Sequence, residues 1–200
     1  MIESMEISPQ YNARDWSTLT FSAEEDWQKA VDIFEDRIRG RFLDIIAYIK
    51  NYAYAGFAVL ALDCLLIETL QQFYEGKHET PSRQAKQYFV HFLTQTSFGD
   101  FFSEETAGMF YEQFRCGILH QAEVKATSLV RRRQVPLVDF TDDRQGLIIN
   151  WELFHRQLVI EFEHYVDQLR ENDPLSKVLR QNFKKKMDYI CRVPSETERQ

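Results

Sequence analysis

An arginine and a histidine lie five positions apart in the segment FYEQFRCGILHQAE, which spans residues 110–123. The guanidinium of Arg115 carries a permanent charge and a fork of donors that fits a phosphate. The imidazole of His120 can take or give a proton near neutral pH. Together they suit metal-independent cleavage of RNA, in which His120 handles the proton of a 2′-hydroxyl or of the leaving oxygen and Arg115 stabilises the charge on the phosphate.

The spacing of this pair argues against a site formed within one helix. Five residues of α-helix rotate by about 500°, which leaves the two side chains about 140° apart around the axis and about 7.5 Å apart along it. Two copies of the helix that cross at a twofold interface would instead build a shared cleft. If the pair is chemical, we therefore expect a homodimer through this helix. In the alternative, Arg115 pairs with Glu112 and His120 with Glu123 on a solvated helix face.

Two carboxylates interrupt the most apolar stretch of the chain, which covers residues 53–70. A buried carboxylate needs a partner or a shifted pKa, so Asp63 and Glu68 are candidates to face Arg115 or Arg41. In the alternative, both make structural ion pairs at a polar seam. A charge at the centre of a bilayer costs roughly 2.5–3.5 kcal/mol, so we predict a buried core helix here and no membrane span.

Metal binding is the weaker interpretation of this sequence. Cys116 and His120 share a helix face and could supply half of a zinc site, but no other half lies near them in sequence. Glu-x-x-His pairs on separate helices can build a di-iron site in a bundle. Three such pairs occur: Glu75–His78, Glu152–His155 and Glu161–His164. The first falls in a predicted loop and the others on opposite sides of one helix, so we predict neither a metal nor another cofactor.

Two basic clusters could contact a phosphate backbone. The formal net charge of −7 argues against a surface that coats nucleic acid non-specifically, but it permits a local basic cleft. Charge runs are also commonly solvated helix faces. The candidate RNA-binding cluster consists of Lys125, Arg131, Arg132 and Arg133, and the second cluster of Arg180, Lys184, Lys185 and Lys186.

Helical periodicity predicts six helices around these residues. They cover about 22–50, 56–74, 82–95, 104–123, 151–169 and 174–190. Ser22 with Glu25 reads as a capping box for the first helix, and Ser103 is the predicted cap of the fourth. The buried stripe of the fourth helix is Ala107, Phe110, Phe114 and Ile118. The β-like runs LVRRRQVPLVDF and GLIIN, separated by the turn signal TDDRQG, predict a small hairpin over about 127–149.

The size of the chain predicts one domain over residues 22–190, preceded by an irregular arm (1–21) and followed by a polar tail (191–200). Three widely spaced cysteines form no disulfide framework, and the N-terminus has no apolar signal region, so we expect a cytoplasmic protein.

The segment around Arg115 and His120 resembles the HEPN superfamily. RCGILHQAE is similar to the (R)(N/C)G(I/L)LH(Q/H)A(E/G) stretch of bacterial HEPN-like proteins, and ALDCLLIETLQQFYEG to their preceding helix. The hairpin followed by the helix start INWELF also fits, and the resemblance covers about residues 25–170. It implies an all-α, HEPN-like bundle of about six helices, with the small β-hairpin inserted between helices four and five.

The resemblance also implies a function. Members are metal-independent endoribonucleases, often toxins or anti-phage defence effectors, that act on RNA as homodimers with the motif at the interface, and an antitoxin or other regulatory protein would be a further partner. Arg115 and His120 would be catalytic, with Glu68 the first choice and Asp63 the second for an added acidic residue. Cys116 replaces the usual polar residue after the arginine. The alternative is a non-catalytic HEPN module that binds RNA, a nucleotide or a protein.

Overall fold

The computed structural model describes residues 4–174 and 176–193, and in this part of the chain helices predominate. Two of the seven α-helices in the described residues contain a π-helical segment. The helices are α1 (Ala13–Ser17), α2 (Glu24–Ile38, π-helical Arg39–Leu43, Asp44–Ile49), α3 (Gly56–Glu75), α4 (Ala85–Gln95), α5 (Glu104–Phe110, π-helical Tyr111–Arg115, Cys116–Gln121), α6 (Trp151–Arg170) and α7 (Ser176–Ile190). The prediction of a mainly helical protein is confirmed.

A three-stranded sheet replaces the predicted hairpin. Strand β3 (Leu147–Asn150) lies between β1 (Leu129–Arg131), which is parallel to it, and β2 (Val138–Phe140), which is antiparallel. The β2–β3 hairpin and its turn at 141–146 match the prediction. The run 129–140 does not form one strand, because Gln134 adopts a left-handed φ of 65° and Pro136 cannot donate to a ladder.

The described chain divides into two compact units. Unit 1 contains the described residues of 1–45, 72–79 and 164–200, and unit 2 contains 46–71 and 80–163. Within unit 1, aromatic rings pack around Phe34, whose ring centroid lies 4.7 Å from that of Phe73 and 5.4 Å from that of Phe183. The predicted arm contributes to this unit: it holds α1, and Trp16 is buried with its indole N–H donating to Asp188.

The core of unit 2 is a column of aromatic rings that carries α5. The Phe110 ring stacks on those of Phe114 and Phe154, at centroid distances of 5.3 and 4.8 Å. All four residues of the predicted stripe are buried: Ala107, Phe110, Phe114 and Ile118. The apolar face of α5 is therefore committed to the core, and its polar residues must lie at the edge of this face or in solvent.

The two predicted helix starts have different outcomes. Ser103 caps α5 in a reciprocal capping box with Thr106, as predicted. The capping box at Ser22 is wrong: α2 begins after Ala23, which makes no side-chain cap, and the Ser22 hydroxyl lies 2.6 Å from that of Thr20. The carboxylate of Asp26 accepts the backbone N–H groups of the preceding turn instead.

Helix α3 is the one candidate membrane span among the described residues. Its length and composition would allow it to cross a bilayer, but 56% of its most apolar 18-residue window is buried inside the protein. The core helix of a soluble protein has these same properties. This burial agrees with the prediction of a core helix.

Candidate functional site

The site in unit 2 is built on an ion pair between α5 and α3. The terminal nitrogen Nη2 of Arg115 donates to Oε2 of Glu68 at 2.9 Å, and the two side chains are 18% and 22% exposed. Glu68 was one of the two carboxylates predicted to face Arg115. The pair is covered enough to hold one geometry, yet it remains reachable from solvent.

Two aromatic rings enclose the guanidinium. Its Cζ lies 5.9 Å from the Phe89 centroid and 5.6 Å from that of Tyr111, within the range of cation–π attraction. Burial lowers the pKa of Arg115, but the hydrogen bond and negative charge of Glu68 outweigh burial and raise it. Arg115 is therefore a fixed cation. Its buried Nε–H has no acceptor in the described part of the chain.

Cys116 and Tyr111 lie beside this cation. Burial, and then the adjacent thiol of Cys116, raise the pKa of Tyr111, so its phenol stays protonated at neutral pH. Burial also raises the pKa of the Cys64 thiol well above its usual value, and the charge of Asp63 acts in the same direction. Cys64 is thus a neutral core residue, and Tyr111 is an O–H donor within the site.

The backbone of α5 is unusual on both sides of Arg115. The N–H of Cys116 donates to the carbonyl of Tyr111, which closes a π-helical turn. Such turns hold more residues than an α turn and change which side chains face a neighbour. A Cβ on Gly117 would lie 2.4 Å from the carbonyl oxygen of Glu123, because the chain folds back across the helix at this point. Glycine is therefore required for this close approach.

His120 lies in the last turn of α5 and is exposed. It makes no hydrogen bond to any described residue. The two within-helix pairs weighed from the sequence are absent among the described contacts, since Lys86 binds Glu112 and the Glu123 carboxylate accepts from Val124 N–H. Within one chain, Arg115 is thus bonded to Glu68 and His120 is left in solvent.

Asp63 belongs to a different pair, in which its own side chain is fully buried and that of His155 is 12% exposed. Its Oδ1 lies 2.9 Å from Nδ1 of His155, while its Oδ2 has no partner in the described residues. Burial raises the pKa of Asp63, and the hydrogen bond and charge of His155 oppose that shift. The predicted partners are wrong for this carboxylate: Arg115 binds Glu68, and Arg41 donates to the carbonyl of Glu6. Asp63 is a core group.

The candidate RNA-binding cluster is only partly free. Arg131 and Arg133 are exposed and Lys125 is half-buried. Arg132 donates to Glu152 at 2.9 Å and lies over the Trp151 ring, so its side chain has a structural role. Two exposed arginines therefore flank one that is anchored to α6.

Most of the second basic cluster is structural. Arg180 is buried, binds both carboxylate oxygens of Glu24 and donates from Nε to the carbonyl of Leu169. Lys186 is also buried, and Lys184 pairs with Asp188. The bonds of Arg180 tie α7 into unit 1, whereas Lys185 is exposed.

The potential metal ligands are separated or otherwise bonded. In residues 4–174 and 176–193, no group of three His, Cys, Asp or Glu side chains could hold a metal ion. Among the Glu-x-x-His residues, Glu152 binds Arg132, Glu161 accepts from the N–H of Ser97, and His78 stacks on Tyr189.

No family model matches the chain, and neither a curated protein nor a solved structure matches it significantly. The resemblance to HEPN proteins stays a prediction from the sequence.

Two residues that contact the predicted ones were not identified from the sequence: Tyr111, beside Arg115, and His155, the partner of Asp63. Tyr111 precedes Arg115 by four residues, which is one helical turn and a signal that the two could touch. His155 follows the buried Trp151 by four residues and precedes the buried Leu158 by three, so it lies on the buried face of α6. A histidine on that face needs a polar partner.

Proposed function

We propose that the protein is a metal-independent, HEPN-type endoribonuclease that acts as a homodimer. The observation that supports this is the Glu68–Arg115 pair, which holds a permanent cation at the solvent-reachable edge of α5. His120 lies on the same helix and is exposed without an internal partner. A fixed phosphate-binding cation and an unoccupied proton carrier are the two groups that the reaction needs.

The chemistry is transfer of a phosphoryl group within the RNA. The 2′-oxygen attacks the adjacent phosphorus while the bond to the 5′-oxygen breaks, so the products carry a 2′,3′-cyclic phosphate and a free 5′-hydroxyl. One imidazole accepts the proton of the 2′-hydroxyl and a second protonates the leaving 5′-oxygen. Arg115 stabilises the charge that develops on the non-bridging oxygens.

A dimer supplies both imidazoles. Helical rotation keeps Arg115 and His120 of one chain on different sides of α5, whereas a twofold contact between two α5 helices would line one cleft with both residues from each chain. Glu68 would act on the reaction through Arg115, by holding its guanidinium. A cytoplasmic location and a regulatory partner such as an antitoxin belong to the same proposal.

Cleavage of single-stranded RNA in the presence of EDTA tests the proposal. The purified protein should cleave RNA and leave 2′,3′-cyclic phosphate ends, and it should spare a DNA strand of the same sequence because DNA has no 2′-hydroxyl. His120→Ala should reduce the rate at least about a hundredfold, and Arg115→Ala by a similar factor. His164→Ala and Arg156→Ala are matched controls, since both residues are exposed on α6.

The controls also separate chemistry from folding. Arg115→Ala leaves Glu68 partly buried without its partner, so Arg115→Lys, which keeps the charge, is measured beside it. If RNA remains intact with the wild-type protein over several sequences, the proposal is wrong. Activity that EDTA abolishes would point to a metal enzyme instead.

A non-catalytic HEPN module is the second candidate. It is favoured by Cys116, a weak hydrogen-bonding group in place of the usual polar residue, and by the 18% exposure of Arg115. Such a module would bind RNA, a nucleotide or a protein without cleaving RNA. Binding of intact RNA that survives prolonged incubation would select it.

A further inference from the structure

The connection between α2 and α3 exposes an unusual set of aromatic side chains. Tyr54 is 95% exposed, Tyr48 73% and Tyr52 62%. A groove of about 500 Å³ runs along this connection, and it is lined by Ile49, Tyr52, Ala53, Tyr54, Ala55 and Ala58. None of these tyrosines is used by the fold as a core residue.

The end of this connection lies against strand β1, which contains Arg131 of the candidate RNA-binding cluster. A Cβ on Gly56 would be 2.8 Å from Trp151 Cδ1 and 3.0 Å from Val130 Cγ1, so the start of α3 touches strand β1 and the start of α6. Arg132, two residues after Val130, lies 5.3 Å over the Trp151 ring. Since two residues span at most about 7 Å, the Cα of Tyr54 lies within that distance of Gly56, the residue that meets β1.

The α2–α3 connection and the segment around β1 carry only positive charges. No aspartate or glutamate occurs in residues 45–62 or 124–138, although the chain contains 31 acidic residues. Lys50 lies between Tyr48 and Tyr52 and is exposed, as are Arg131 and Arg133. The first turn of α3 has no acidic residue either, so the helix dipole adds to the positive potential. Among the described contacts of the cations in these two segments, one ion pair occurs, between Arg132 and Glu152.

We infer that this surface, formed by Tyr52 and Tyr54 with Lys50 and Arg133, binds single-stranded RNA. Bases would stack on the two tyrosine rings, and phosphates would lie along the cations. The inference rests on the proposed function, because it takes RNA as the ligand. It adds a binding track to the cleavage site, formed by residues outside the Arg115–His120 motif.

Charge favours RNA over a second copy of the chain at this surface. An isologous interface would bring the same cations opposite one another, and like charges across an interface are repulsive. A strand of RNA instead supplies one negative charge for each nucleotide and a flat ring for each tyrosine. An anionic membrane shares part of this chemistry and is therefore one arm of the test.

Fluorescence anisotropy with a labelled single-stranded RNA of about ten nucleotides measures the binding. All proteins carry His120→Ala so that the RNA is not consumed. Tyr52→Ala and Tyr54→Ala should each weaken affinity at least about fivefold, whereas Tyr54→Phe should bind like its parent because stacking needs the ring alone. Tyr189→Ala, at an exposed tyrosine in unit 1, is the matched control.

The cations are tested by the salt dependence of binding. Lys50→Gln and Arg133→Gln should each lower the slope of log K against log salt concentration by about 0.7, the value for one phosphate contact on a single strand. Lys185→Gln, at an exposed lysine outside this surface, should leave the slope unchanged.

The outcomes separate this inference from the proposed function. If Tyr52→Ala and Tyr54→Ala bind RNA as their parent does, or if the parent binds no RNA, the inference is wrong. It is equally wrong if these substitutions abolish only self-association in light scattering or only binding to anionic vesicles. Tyrosine-dependent binding without cleavage by protein that retains His120 would overturn the proposed function alone.

Discussion

Asp63 and Glu68 are two carboxylates five residues apart on α3, and their surroundings differ sharply. Asp63 is fully buried against His155 and has a raised pKa. Glu68 is 22% exposed and holds Arg115. A carboxylate enclosed on all sides acts on the stability of the fold, whereas one at the edge can position a group that meets a substrate. Separating these two effects by mutation is the most direct test of which part of α3 serves function.

The largest expected effect is on the buried pair. His155→Ala leaves Asp63 without a partner in the core, and we expect the free energy of unfolding to fall by about 2–4 kcal/mol. Urea denaturation followed by circular dichroism measures this change. His91→Ala, at an exposed histidine on α4, should change stability by less than about 0.5 kcal/mol. Equal losses for the two variants would contradict a core role for the Asp63–His155 pair.

A smaller effect on stability, but a clear one on activity, is expected at Glu68. Glu68→Gln removes a partly exposed ion pair, so stability should fall by less than about 1 kcal/mol. Because Arg115 would lose its fixed position, kcat for RNA cleavage should fall about tenfold. KM should not rise, since removing a negative charge cannot weaken attraction for phosphate.

Glu112→Gln is the matched control for Glu68→Gln, because Glu112 forms an exposed pair with Lys86 on the same helix as Arg115. A positioning role for Glu68 is ruled out if both glutamine variants keep the full kcat, or if Glu68→Gln only raises KM.

The smallest effect is a gradual dependence of stability on pH. The pKa of Asp63 is raised above its unfolded value near 3.8, so the native state binds a proton more tightly than the unfolded state does. Its contribution to stability is therefore complete below that value and is lost as the pH rises through the raised pKa. Asp63→Asn removes this contribution, so the free energy of unfolding of wild type minus that of Asp63→Asn should fall as the pH rises.

Urea titrations at a series of pH values above 4 follow this difference, with Glu68→Gln as a comparison. Titrating groups that do not contact Asp63 contribute equally in the two proteins and cancel, so the difference reports the Asp63–His155 pair. A pH-independent difference between wild type and Asp63→Asn would show that burial does not set the protonation of Asp63.

Much of the fold could be predicted because its signals are local. The stripe of α5, the cap at Ser103 and the turn between β2 and β3 each depend on residues within a few positions of one another. Ser22 and Glu25 have the residue types of a capping box, but the backbone N–H groups of Thr20 and Phe21 donate to the carboxylate of Asp26 instead. Where two side chains could each accept the backbone N–H groups at a helix start, sequence spacing does not show which one does.

The two basic clusters could not be ranked from sequence either. Arg133 is exposed, whereas Arg180 is buried against Glu24, 156 residues earlier in the chain. Both clusters are runs of basic residues with similar composition and spacing, so the sequence did not indicate which of them is exposed. The exposure of Tyr52 and Tyr54 could not be predicted, because an aromatic residue near an apolar run usually belongs to the core.

The sequence by itself determined most of the helical segments, though not α1, which face of α5 is buried, and that an arginine and a histidine five residues apart do not share a face of an ideal helix. These results follow from the helical period and from the cost of exposing apolar surface. Tertiary structure alone decided that Glu68 binds Arg115, that Asp63 binds His155, and that Gly56 lies against Val130 and Trp151. Such partners lie tens of residues apart, and packing, which depends on the whole unit, selects them.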